Sequence, residues 1–277
     1  MIWMRIDYKI PQRWNDLTEW QVTAIGRYMF NSRNEQVDTR LFKTALMCAL
    51  IVPKITIKNI WKSILFFSQV PFFEFEQYTN FVFDEKELFT RFPKSLKVGR
   101  WPMRKTVYGP ARRMANSTIE ELSYADTFYY KWATEKNTDD LHRLTAILYR
   151  EKSKTDNPED KRKPFSSLVL ESNSMITDKI PLHIKFMIAH IYAGCRQNFI
   201  NRNKNVFPVP EETEEIIKQP KKQKPYQPFS KIIDSFAMDE VQIFGNHQEV
   251  EKVYASKFLS LYDACIVKQR EIEQRNN

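Results

Sequence analysis

The sequence predicts a mainly α fold, a multi-helix globular bundle with a small irregular or short-strand insertion near residues 72–110. Three observations predict it. Only five glycines occur in 277 residues, too few for the positive-φ turns of a many-stranded sheet or for glycine-rich phosphate loops. Apolar residues recur at three- and four-residue steps over several long segments, the period of a helix with one buried face. Between residues 72 and 110, Phe, Tyr, Val and Thr instead cluster in short pieces interrupted by Pro93, Gly99, Pro102, Gly109 and Pro110, a pattern of short strands and turns.

A first helix is expected over Trp14–Phe30, with Thr18 and Gln21 at the spacing of a reciprocal N-terminal cap. Leu41, Phe42, Ala45, Leu46, Ala49 and Leu50 give the next helix, which Pro53 terminates. A third runs from Ile57 to Phe67, with Ile60, Trp61, Ile64 and Leu65 on one side. Thr79–Phe83 and Thr106–Tyr108 are the expected strands of the insertion. Thr118 and Glu121 repeat the capping spacing ahead of a stripe through Ile119, Leu122, Ala125, Tyr129 and Trp132, and Thr138 is the expected cap of the helix that follows.

The charge-dense Lys152–Lys163 stretch, which contains Pro158 and no periodicity, reads as an exposed loop. Leu182–Ile200 is apolar on nearly every face, as a central core helix is. Five prolines and a lysine cluster mark 206–228 as a semi-extended linker. Beyond it, Phe229–Val241 and Gln248 to about Arg270 are expected as a helical pair, with a fraying polar end from Lys268. The domain organisation read from this pattern is a helical core with its insertion at 1–205, the linker at 206–228, and a C-terminal pair at 229–277 packed on the core.

Composition narrows the function classes. Hydrophobic residues at 42% and aromatic residues at 14% support a packed core. The net charge of +9 favours acidic partners, nucleic acid among them, but the cations are spread along the chain as solvated faces usually are. Cys48, Cys195 and Cys265 are too few and too scattered for a disulfide framework, which points to a reducing cytoplasm. Met1–Pro11 carries Arg5, Asp7 and Lys9 where a secretory leader has an apolar run. No apolar stretch reaches the roughly 18 to 20 residues of a membrane span.

Catalytic signatures are missing in the sequence. There is no phosphate-binding glycine loop, no dinucleotide fingerprint, no Gly-x-Ser-x-Gly elbow and no His-Glu-x-x-His helix. His183 and His190 stand seven residues apart, but a metal needs a third donor, and Cys195 lies about 140° round the helix from His190. Cys195 precedes Arg196, which would activate a thiol, yet a buried cysteine on an apolar helix is the commoner state. Adjacent carboxylates such as Asp139 and Asp140, or Glu120 and Glu121, diverge by about 100° on a helix and suit its N-terminal dipole instead. The expectation is a non-enzymatic protein with no catalytic residue, cofactor or metal.

One constellation carries a binding alternative. Trp101, Arg104, Tyr108, Arg112 and Arg113 interleave aromatic and basic groups as single-strand stacking surfaces do. Ordinary packing of Trp101 and Tyr108, with the arginines on the rim, is the competing expectation.

Several phrases, taken in order, resemble a family of phage and prophage tail-region proteins akin to tail assembly chaperones. They are Ile10-Pro11 with Trp14 to Thr18, Ala115 to Thr118 leading to Tyr124-Ala125-Asp126, Leu144 to Arg150, Asn157-Pro158 with Lys161 to Phe165, and Ile243 to Asn246 before the final helix. The resemblance implies a non-enzymatic accessory of tail assembly in the host bacterial cytoplasm, or a structural tail protein. Its implied partners are the tape-measure protein or tail-tube subunits. No catalytic residue comes with the resemblance, and the aromatic block Phe66–Phe83 and the segment Pro208–Pro228 depart from the family's pattern.

Overall fold

The computed structural model describes residues 9–34, 38–84, 88–154, 157–207 and 247–276. They form a mainly helical protein with one small antiparallel sheet, as the glycine shortage and the apolar periodicity predict. The chain divides into two compact units, Met1–Pro93 with Asp178–Gly194, and Lys94–Thr177 with Cys195–Asn277. The linker 206–228 falls almost wholly, and the expected helix Phe229–Val241 entirely, outside the described residues.

In the first unit a short 3-10 turn at Trp14–Asp16 precedes α1, Glu19–Asn34. The expected cap forms both ways: the Thr18 N–H donates to Gln21 Oε1 at 2.9 Å and the Gln21 N–H to Thr18 Oγ1 at 3.3 Å. Gln21 then uses its Nε2 to donate to the Leu50 carbonyl at 2.7 Å. One buried amide thus starts α1 and satisfies a carbonyl near the end of α2, Thr39–Ile51. Val52 and Pro53 end α2 as the sequence predicts. α3, Ile57–Gln69, and α4, Phe75–Thr79, follow. The core here is Trp14, stacked on Phe89 at 5.0 Å, edge-on to Phe81 at 6.0 Å and tilted against His190 at 5.3 Å.

The expected strand Thr79–Phe83 is instead the end of α4 and a 3-10 turn at Asn80–Val82. Its aromatic residues pack against other rings: Phe81 meets Trp14 at 6.0 Å and Phe83 meets Phe42 at 5.9 Å. Tertiary aromatic packing overrides strand propensity, which is a weak, context-dependent preference.

The second unit holds the sheet, β1 Ser95–Val98, β2 Lys105–Tyr108 and β3 Arg150–Glu151, in the order β1-β2-β3. The strand expected at Thr106–Tyr108 is therefore present, one residue longer at its start. α5, Ile119–Glu135, buries Ile119, Leu122 and Ala125, and lies against α6, Thr138–Leu148. Asn137, not Thr138, caps α6 by accepting the Asp139 N–H at 2.9 Å. α7, Leu170–Thr177, is short and covers α6.

α8, Leu182–Arg202, is the apolar helix expected at 182–200, and its residues to Gly194 belong to the first unit. The final helix expected from Gln248 is broken. α9, His247–Glu251, stops, Tyr254 forms an antiparallel bridge with Thr118, and α10 runs from Ala255 to Asn276. The break satisfies the start of α5, because Ile119 N–H donates to the Val253 carbonyl and Ala255 N–H to the Ser117 carbonyl, each at 2.8 Å. The polar end continues as helix to Asn276.

Gly194 marks a close approach within the first unit. A Cβ there would stand 2.2 Å from the Phe89 carbonyl oxygen, and backbone yields less easily than a side chain. Gly194→Ala is expected to lower unfolding free energy by roughly 2 kcal/mol. Denaturant titration of the full chain checks it, and an unchanged midpoint would show that the Phe89 backbone moves without cost.

Candidate functional site

The apolar stripe of α3 faces solvent. Thr56 caps the helix by accepting the Asn59 N–H at 3.2 Å, and Asn59 donates to the Lys54 carbonyl at 2.7 Å. Phe66 and Ser63 are its buried residues, with Phe66 ringed by Phe75 and Tyr78. On the opposite side, Ile57, Ile60, Trp61 and Ile64 are all exposed, Ile57 at 78% and Trp61 at 61%. Their spacing of three, four and seven residues places them on one stripe, and Ile57 lies about 180° round the helix from Phe66. Lys58, about 100° round the helix from Ile57, edges this stripe, and no Asp or Glu occurs from Pro53 to Phe73. A helix anchored by one face and apolar on the other is incomplete as a folding unit and suited to docking.

Of the five interleaved aromatic and basic residues, two come together. Trp101 and Arg104 sit in the turn joining β1 and β2, where Trp101 is 86% exposed. Ordinary packing of Trp101 is thereby overturned: the β1-β2 register, Val98 opposite Lys105, leaves the six residues Gly99–Arg104 outside the ladder, and all of them but Gly99 are exposed. Tyr108 is half-buried in β2. Arg112 and Arg113 lie in a 3-10 turn beyond it, Arg113 with a left-handed φ of 60°.

A third feature was not legible in the sequence. The carboxylate of Glu121, on the first turn of α5, is buried between two guanidiniums. Arg162 Nη1 donates to Glu121 Oε1 at 2.6 Å and Arg150 Nη2 to Oε2 at 3.2 Å, while Ser117 Oγ donates to Oε1 at 3.2 Å. Arg162 is also bound by Asp160 at 2.8 Å and by the Leu148 carbonyl at 3.1 Å. Arg150 donates to the Lys163 carbonyl at 2.7 Å and to the Ile147 carbonyl.

Lys152–Lys163 is thus not wholly an exposed loop. Arg162 is among the most buried residues of the chain, and its stretch returns alongside β3 through the Lys152–Arg162 bridge. A lone charged loop residue has no sequence signal that foretells such burial. Burial by itself would raise the Glu121 carboxyl, but Arg150 and Arg162 outweigh it and hold the group below the ordinary glutamate range.

These groups wall a partly open cavity of about 700 Å³, lined also by Glu120, Phe165, Leu168 and Tyr254. Burial and the neighbouring Glu251 push the Glu120 carboxyl up at its edge. The Tyr254 phenol is pushed up chiefly by its 2.8 Å hydrogen bond to Glu159. The central charges are bonded to one another and to backbone carbonyls, an arrangement that braces three segments of chain.

Cys195 is buried, and desolvation pushes its thiol far up despite the nearby Arg113, the inert state of a core cysteine. His190 lies against Trp14, and desolvation followed by Arg27 lowers His183. Among the described residues, no group of three or more His, Cys, Asp or Glu side chains gathers around a common point. No helix of the described residues is long and apolar enough to cross a membrane.

Glu121→Gln leaves two buried guanidiniums short of countercharge and is expected to cost roughly 3–5 kcal/mol. Because the folded carboxyl titrates below its unfolded value, this contribution is complete above the ordinary glutamate range and is lost as pH falls through the depressed value. Acid unfolding followed by circular dichroism checks both, since the variant should lose that part of the acid dependence. An identical acid profile in the two proteins would refute the assignment. No protein-family model, curated protein or solved structure matches this chain.

Proposed function

We propose that this protein works by binding other proteins, and that its docking site is the outward stripe of α3. The observation that carries the proposal is Ile57, Ile60, Trp61 and Ile64 exposed on one helix face. Burying each such side chain is worth about 1.5–3 kcal/mol, a driving force that the isolated chain leaves unused. The bordering Lys58, with no acid nearby in sequence, selects the partner's chemistry: an amphipathic helix with an apolar stripe edged by Asp or Glu. A second copy of the same face would set lysine against lysine.

The ordered phrases that resemble phage tail-region proteins point to where such a partner would be found. The tape-measure protein and tail-tube subunits must remain unassembled until their time, and covering an apolar helix is one way to hold them. The function proposed is accordingly a non-enzymatic one in tail assembly, as a chaperone or as a structural component.

Retention of candidate tail proteins on the immobilised full chain tests this. Trp61→Ala is expected to weaken retention about 30-fold, the loss of roughly 2 kcal/mol that a central aromatic anchor supplies. Lys58→Glu should also weaken it while melting stays unchanged, as an exposed site away from a core does not alter stability by more than about 0.5 kcal/mol. Equal capture by all three proteins would rule α3 out as the docking face.

A further inference from the structure

The β1-β2 ribbon has a chemistry of its own. From Leu88 to Ile119 the sequence holds eight Lys or Arg and no Asp or Glu. Folding concentrates part of this charge on a two-stranded ribbon, because β3 pairs only with Val107 and Tyr108 at its base. All seven residues from Arg100 to Thr106 are exposed. At the tip Trp101 and Met103 are each 86% exposed, flanked by Arg100 and Arg104. Among the described residues, the side chains of both arginines and of Lys97 make no hydrogen bond or ion pair. Lys105, opposite Val98 on the last rung before the turn, is neutralised by Glu151 at 3.0 Å, and Lys163 closes the same carboxylate at 2.6 Å. That clamp holds the end of the ladder, where Val98 and Val107 are buried, while the turn beyond it stays cationic and apolar together.

We propose that this exposed turn is a duplex-DNA-binding element that enters the major groove tip first. A turn joining two paired strands is no wider than the ribbon that this groove, roughly 12 Å across, admits. A projecting element suits a groove, whereas single strands are gathered by concave platforms. Arg100 and Arg104, on either side of the turn, then face the phosphates, and Trp101 and Met103 meet base edges and thymine methyl groups at the groove floor. Lys97, on β1 behind the tip, adds a further phosphate contact. An anionic bilayer would also attract a basic apolar tip. It fits less well, because Lys97 lies behind the turn on β1, away from any surface the tip alone would enter, as a linear polyanion requires and a plane does not. The element is separate from α3, so either site stands if the other fails.

Fluorescence anisotropy of the full chain with a labelled 20-base-pair duplex, the matching single strand and 30% phosphatidylserine vesicles tests it. Duplex binding is expected at low salt, with log affinity falling linearly against log salt. Arg100→Ser with Arg104→Ser should flatten that slope by about two phosphate contacts. Trp101→Ala should weaken duplex binding about tenfold, and Trp61→Ala should leave it unchanged. The substituted residues are exposed turn positions, and equal melting temperatures confirm that each variant is folded. No duplex binding at low salt, binding confined to single strands or to vesicles, or duplex binding indifferent to the tip substitutions would each overturn the proposal.

Discussion

Glu121 carries a charge that two guanidiniums share out of reach of water, and the second unit is assembled around that sharing. Its residue opens α5, Arg150 begins β3, and Arg162 ends the stretch that returns from Lys152. None of the three can be buried alone, since a single ion in a low-dielectric interior is costly and becomes tolerable only with its partners in place. Helix start, strand and returning loop therefore reach their positions together. The sheet inherits the constraint: β3 is held against β2 from one side by Arg150 and from the other by the Glu151 clamp.

The two units spend their side chains differently. The first uses rings for cohesion, with Trp14, Phe89, Phe66 and Phe75 at its centre, and still has Trp61 and three isoleucines left on its surface. The second uses ion pairs inside and presents part of its surplus charge on the exposed β1-β2 turn. Both leave apolar groups beside lysine or arginine in the open, a combination that an isolated protein would gain from covering.

The helices were legible wherever an apolar stripe coincided with a local stop signal. Pro53 and the Thr18–Gln21 pair fixed α1 and α2, and the all-round apolar character of 182–200 fixed α8. Illegible features were those decided by contacts distant in sequence. Thr118 and Glu121 read as a reciprocal cap, and half of it forms, the Glu121 N–H donating to Thr118 Oγ1 at 3.2 Å. The carboxylate itself is diverted to Arg150 and Arg162, 29 and 41 residues on. Likewise the periodicity of α3 identified a stripe but could not say whether core or solvent lay beyond it. Trp101 was singled out in the sequence, yet its exposure follows from the β1-β2 register, which places the turn past the last paired residue.

The bridge between Thr118 and Tyr254 ties the last thirty residues to the body by backbone pairing, and Val250, Ala255, Phe258 and Leu259 are sealed inside. Asp263 adds a grip on Asn205, accepting from its backbone N–H and its Nδ2 at 2.9 Å each. Covalent continuity between Phe207 and His247 is then not what keeps the tail in place. A protease that severs that connection would yield two polypeptides that still migrate as one particle and separate only in denaturant.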